Sequence, residues 1–342
     1  KIDIFGKTHL TELAGFVTSN VLPYGYSELG GFGRNPHGNC PCGGSSAGSA
    51  IAVAAGFCDA ALGTETRGSL MIPGFRNGVF SFKPTRGLIS RSGIIPLSSS
   101  FDAPGVLARN PVIMKKVILT MVGVDLEDDQ SFELTKTESN PSRKRIICCV
   151  NRSLGEMELL QTELRPFLAQ LKLNGFEITF VDLPDVSFDY KTISSADIRS
   201  DMAEFLQRFG SDNEPRSFEE LVERYRERPN AHLYGMERLE DALAMPQIQK
   251  SDLKKLVQEN VAKARDLINS ILDRYDGDFV GFLNFVDWFS IGGGPSCTLP
   301  VSFETKPPIS IMLGSRVGND LALLNIVQEF SEIAKATQYT EN

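Results

Sequence analysis

Gly43-Gly44-Ser45-Ser46-Ala47-Gly48-Ser49-Ala50 and, a little further on, Gly63-Thr64-Glu65-Thr66-Arg67-Gly68-Ser69-Leu70-Met71-Ile72-Pro73 place two serines in separate glycine-rich turns. Glycine lets backbone N–H groups face a ligand with no side chain in the way, and a helix that follows such a turn offers partial positive charge to a developing anion. The pattern points to a serine nucleophile beside a set of backbone donors. Between the turns, Ser46 to Ala55 is alanine-rich, and its small faces suit a helix buried under a sheet.

Further runs extend the pattern. They are Asn77-Gly78-Val79, Phe82-Lys83-Pro84-Thr85-Arg86-Gly87-Leu88, Gly93 to Asp102, Pro104-Gly105 and Ala108-Arg109, then Gly293 to Pro300 and Gly314-Ser315-Arg316. With Lys7-Thr8, Leu10 and Glu12, these segments in this order resemble the amidase signature family, serine hydrolases with a Ser-Ser-Lys triad. The resemblance is densest between 43 and 109 and implies an α/β fold with a large mixed β-sheet covered by helices on both faces. It implies Ser69 as acyl nucleophile and Ser45 as bridging serine, held after an unusual cis peptide at Gly44. Gly43, Gly44 and Ser46 would support that turn. The backbone N–H groups of Thr66, Arg67, Gly68 and Ser69 would form the oxyanion hole, where losing one donor typically costs about 10²-fold or more in rate.

Two departures qualify the carry-over. The family's catalytic lysine lies several dozen residues before the bridging serine, whereas 44 residues precede Ser45 in this sequence, and Lys7 matches a non-catalytic Lys-Thr segment. Because the sequence starts at Lys1 rather than methionine, the base either lies in a segment outside it or is missing. The second departure is Arg67, which stands where the family commonly has glycine. Its side chain either crowds the acyl pocket or sets a permanent cation beside it; pointing outward, it would be a silent surface residue.

Composition sets boundaries. With 342 residues, 42% of them hydrophobic, the chain has enough apolar content for a substantial core, and it is expected to be one amidase-type domain over 1–342. No apolar run approaches the ~20 residues of a membrane helix, and no signal core is seen, so a cytoplasmic protein without a membrane span is expected. The net charge of −8 argues against nucleic-acid binding, and Arg143-Lys144-Arg145 reads as a solvated strand entrance. No cofactor motif stands out. The cysteines Cys40, Cys42, Cys58, Cys148, Cys149 and Cys297 lack metal-type spacing and read as reduced thiols. Of the three histidines His9, His37 and His232, His37 is nearest the serine block and would be the substitute base if no lysine served.

Periodicity predicts a helix over 8–17 capped by Thr8, strands over 57–62, 79–82 and 145–150, and a loop over 127–144. Beyond it come a helix over 155–174, a strand over 176–183, amphipathic helices over 194–273, strands over 279–285 and 309–313, and a closing helix over 320–336. In the resembling family the 194–273 region is variable and covers the substrate entrance. The aromatics Phe282, Phe285, Trp288 and Phe289 read as core, with an apolar substrate pocket as the other reading. Two functions follow. One is an amidase or acyl-transfer enzyme for a small-molecule amide or related carbonyl compound, acting on C–N bonds. The other is a catalytically altered scaffold that binds ligands or performs a non-hydrolytic step. Composition leaves the oligomeric state open.

Overall fold

Strand character is strongest in Ile146-Ile147-Cys148-Cys149-Val150, an apolar run with no polar alternation, as expected of a strand covered on both faces. In the computed structural model, which describes residues 3–18, 25–134, 144–302 and 304–340, this run lies inside an eight-stranded mixed sheet. After a small ribbon of Tyr26–Ser27 (β1) and Gly31–Phe32 (β2), the first half of the chain supplies the helix Ala47–Ala54 (α1), the strand Ala60–Glu65 (β3) and the helix Met71–Asn77 (α2). Phe80–Lys83 (β4), Ala103–Ala108 (β5) and the helix Pro111–Met121 (α3) follow. The second half supplies Lys144–Val150 (β6), helices Glu156–Gln161 (α4) and Arg165–Leu173 (α5), and Phe176–Asp182 (β7). Helices Tyr190–Phe209 (α6), Phe218–Arg226 (α7), Glu237–Ala244 (α8) and Lys250–Arg274 (α9) come next. The chain closes with Phe279–Phe282 (β8), Trp288–Gly292 (α10), Ser296–Ser302 (β9), Ile309–Gly314 (β10) and Asp320–Thr340 (α11).

The strand order is β3-β5-β4-β9-β10-β8-β6-β7, parallel only where β6 meets β8 and β7. Alternate residues of one strand serve opposite faces. Ile146, Cys148 and Val150 join Val106, Leu299 and Leu313 in a core under α3, α5 and α11. Ile147 and Cys149 join Leu107, Val280 and Met312 in a second core against α1, α2, α9 and α10. The two serine turns belong to this second face. A satellite cluster built on Phe218, Val222, Leu239 and Ile198 gives α6, α7 and α8 their own apolar centre.

Several boundaries differ from expectation for identifiable reasons. Residues 8–17 hold only a short 3-10 turn, Glu12–Gly15, with Leu13 and Ala14 at φ 42° and 55°. Tertiary bonds take that backbone instead: the Thr11 N–H donates to the Ser45 carbonyl (3.0 Å), and the His9 carbonyl accepts from the Gly48 N–H (3.2 Å). The strand expected at 57–62 starts at Ala60 because the Phe57 N–H still closes the end of α1 on the Ala52 carbonyl, 2.9 Å away. The helix expected over 155–174 is broken into α4 and α5, since Pro166 has no N–H to continue a ladder and suits a helix start. The strand at 279–285 ends at Phe282. The expected loop over 127–144 is helix- and strand-free as far as residue 134; residues 135–143, with Arg143, lie outside the described residues, as does Lys1. Lys144 and Arg145 open β6 and pair with Glu329 and Glu177, as befits a solvated strand entrance. Among the described residues no helix is long and apolar enough to cross a membrane.

Candidate active site

The serine block works as a joint between two short helices because its residues are small. A Cβ on Gly48 would lie 2.2 Å from the His9 carbonyl oxygen, so α1 approaches the 8–12 segment only because residue 48 has no side chain. The peptide between Gly44 and Ser45 is cis. Ser45 is buried, and its carbonyl holds the Thr11 N–H. The next residue ties the turns together. The Ser46 N–H donates to the Ser69 carbonyl (3.2 Å), while the Ser46 hydroxyl accepts from the Thr64 N–H (3.2 Å) and donates to the Thr64 carbonyl (3.1 Å). Gly43 is anchored from the other side by Asn77, whose amide donates to the Cys42 carbonyl at 2.7 Å and the Pro73 carbonyl at 2.8 Å.

The 66–69 turn is held by two carboxylates that sequence reasoning gave no role. Glu65, 1% exposed, accepts from the N–H groups of Leu70 (3.0 Å) and Met71 (3.1 Å) and from the Ser290 hydroxyl (2.7 Å). Asp102 accepts from the Thr66 hydroxyl at 2.5 Å and from the N–H groups of Leu97 and Ser98 at 2.8 and 2.9 Å. Burial raises the Asp102 carboxyl above the usual carboxylate range, and these hydrogen bonds oppose that shift. Gly68 sits at φ 86°, and a Cβ there would lie 2.8 Å from both the Phe285 ring and Ile72, so this bend requires glycine. With Glu65 holding the donors of residues 70 and 71, and the Ile72 N–H on the Gly68 carbonyl (2.7 Å), the N–H groups of Arg67, Gly68 and Ser69 have no acceptor among the described residues. Ser69 itself is partly exposed. The predicted residues Gly43, Gly44, Ser45, Ser46, Thr66, Arg67, Gly68 and Ser69 are thus brought to one junction.

Neighbouring basic groups are engaged elsewhere. Lys83 is buried in β4, its ammonium donating to the Gly294 carbonyl (2.6 Å) and the Pro84 carbonyl (3.1 Å). Burial pulls it down to about 8 while the Glu65 carboxylate pulls it up. His37 Nε2 lies 3.0 Å from the Asn77 carbonyl, His9 Nε2 lies 2.7 Å from the Gly25 carbonyl and His232 Nε2 lies 3.2 Å from that of Arg226. His37 is therefore a loop histidine that braces the end of α2, and its bond is to backbone rather than to a serine.

Arg67 is neither free nor buried in the turn. Its Nε donates to Asp287 at 2.8 Å, and its guanidinium lies 4.9 Å from the ring centroid of Tyr190 at the start of α6. The aromatic group ahead of the Gly292-Gly293-Gly294 turn divides. Phe282, Trp288 and Phe289 pack edge-to-face in the core, with Phe282 5.1 Å from Trp288, whereas Phe285 borders the 66–69 turn. None of the six cysteines is in a disulfide. Among the described residues no group of His, Cys, Asp or Glu could hold a metal ion.

A family model described as Amidase matches residues 2–280. Among curated relatives, a glutamyl-tRNA(Gln) amidotransferase subunit from Campylobacter lari is 34% identical over 210 residues, covering 59% of this chain and 45% of its own. The corresponding protein of Halorhodospira halophila is 27% identical over 368 residues, 96% of this chain and 74% of its own. The chain thus spans about half the length of the first of these relatives. Among solved structures, native peptide amidase of Stenotrophomonas maltophilia superimposes with a TM-score of 0.85 at 24% identity, covering 96% of this chain and 73% of its own. An amidase family protein of Bacillus anthracis gives 0.85 at 24% identity, with coverages of 96% and 68%. At such identities the structures establish the fold, and the family model matches most of the sequence: the chain belongs to the amidase family.

Proposed function

We propose that this protein breaks a C–N bond of a small-molecule amide by acyl transfer through Ser69. The observation that carries the reading is the run of N–H groups at residues 67–69 with no acceptor among the described residues, beside a partly exposed serine, in a turn whose next two donors, those of Leu70 and Met71, are held by Glu65. Such donors are the groups that stabilise a tetrahedral oxyanion. In this reading the Ser69 Oγ adds to the carbonyl carbon and its proton passes through Ser45 to a base. The amide nitrogen leaves with a proton, and the acyl ester is released to water in hydrolysis or to ammonia in transfer. In the resembling family that base is a lysine several dozen residues before the bridging serine.

A second reading, an amidase-fold protein altered to bind a ligand or catalyse a non-hydrolytic step, is favoured by one observation. Lys83, His9 and His37, three basic side chains near the turns, are each committed to a backbone carbonyl. Reaction with a serine-directed fluorophosphonate decides between the two. The first reading expects a single adduct on Ser69, lost in Ser69→Ala, with amide turnover falling by about 10³-fold or more. A protein that stays unlabelled, or is labelled equally well after Ser69→Ala, sinks that reading and supports the second.

A further inference from the structure

We propose that Arg67 reads a carboxylate on the substrate, so that the site selects amides carrying an acidic group over neutral ones. The inference rests on the assignment of Ser69 above and names the substrate class for that site. Arg67 lies two positions before Ser69, a backbone separation of at most about 7 Å. Its side chain is 43% exposed, against 16% for Asp287. The guanidinium is held in two ways at once, its Nε on Asp287 and its central carbon 4.9 Å from the Tyr190 ring centroid. These two contacts restrict the side chain and leave its two terminal amino groups unpaired among the described residues.

A planar fork held this way is the geometry that matches a carboxylate with two parallel hydrogen bonds. Tyr190 and Asp287 restrict the side chain before the ligand arrives, so less rotamer freedom is lost on binding. Asp287 also offsets the charge of Arg67. Long-range attraction of anions is therefore weak, and recognition depends on close contact with the fork. The neighbouring surfaces fit the remainder of such a ligand. Phe285 borders the same turn, its ring 2.8 Å from where a Cβ on Gly68 would lie. With Arg67 two positions from Ser69, a carboxylate a few bonds from the amide carbonyl is the substrate geometry that engages both.

Glutaramate, the monoamide of a five-carbon dicarboxylate, and pentanamide, its neutral counterpart, make a matched pair of probes. Calorimetry on the Ser69→Ala protein requires no turnover, and fluorophosphonate labelling of the wild type tests Ser69 separately, so failure of one reading is distinct from failure of the other. Glutaramate is expected to bind about 10- to 100-fold more tightly than pentanamide, the difference a charge-assisted bidentate contact supplies. Adding Arg67→Ala should erase the preference, and Arg67→Lys, a point charge without fork or stacked plane, should restore only a minor part of it. Equal binding of the two amides by the Ser69→Ala protein overturns the proposal whether or not the arginine variants fold. So does a preference that survives Arg67→Ala, or one fully restored by lysine.

Discussion

The segment from 43 to 109 and the helical region from 190 to 274 are held together by different physics. In the first, buried side chains bond to backbone: Glu65 to residues 70 and 71, Asp102 to 97 and 98, Asn77 to 42 and 73, Ser46 to 64. Each bond fixes a peptide plane, and an unpaired partner left in the interior is costly. In the second, α6 to α8 pack around an apolar cluster that also takes in Phe16, Val17 and Leu97, and the helices carry exposed ion pairs such as Arg226 with Glu223 and Lys191 with Asp241. Side-chain packing of that kind tolerates exchange among residues of similar volume. One region specifies backbone geometry, and the other supplies bulk and cover.

Glu65→Ala tests this contrast most severely, because it orphans two buried N–H groups and the Ser290 hydroxyl. A loss of roughly 3–5 kcal/mol in urea unfolding is expected from three such donors, with slower fluorophosphonate labelling of whatever protein folds. Undiminished labelling would show that the turn keeps its shape without the carboxylate. Leu239→Ala, at a fully buried position of α8, should cost about 3 kcal/mol by cavity formation while leaving the labelling rate near that of the wild type. Should labelling collapse as well, the two regions are coupled far more tightly than the single shared contribution of Leu97 suggests.

A smaller effect concerns pH. Asp201 on α6 accepts from the Ser99 N–H at 2.6 Å, and burial with the nearby Asp197 charge raises it to about 6. A carboxyl whose pKa is higher in the folded than in the unfolded state favours folding at low pH, and that contribution is lost as pH rises through the folded value. Asp201→Asn keeps an acceptor for Ser99 and removes the titration. Tm should therefore rise by about 1–3 °C at pH 7, with the gain fading toward pH 4. A gain that is independent of pH would assign the effect to something other than this ionisation. Smallest of all, Arg226→Ala should change stability by no more than about 0.5 kcal/mol, as befits an exposed pair. A larger loss would mean that the helical region relies on its surface charges after all.

The same contrast explains what the sequence made legible. Gly43 to Ser46 and Gly63 to Ser69 stand out because their backbone tolerates so few residue types, and the run Ile146 to Val150 announces a doubly covered strand. The amphipathic periods of α6 to α9 were equally readable as helices. What those helices touch was not, because Tyr190 meets Arg67 across 123 positions of chain and no periodicity encodes that encounter. Asp287 was hidden for the same reason, as a lone acid ahead of an aromatic group. Thr8 to Val17 failed as a helix because its donors and acceptors serve the serine block, a tertiary demand that outweighs local propensity.

The close approach of α1 to the 8–12 segment at Gly48 has a consequence for anyone who wishes to redesign the protein. A position where even a methyl group would collide with a backbone oxygen offers no neutral steps, so random libraries spread over 43–74 would consist mostly of unfolded members. Variation confined to the inner faces of α6 to α8 would leave that joint intact while changing what packs in their cluster. The wedge of small residues thus divides the molecule into a part that has to be inherited whole and a part that is open to selection.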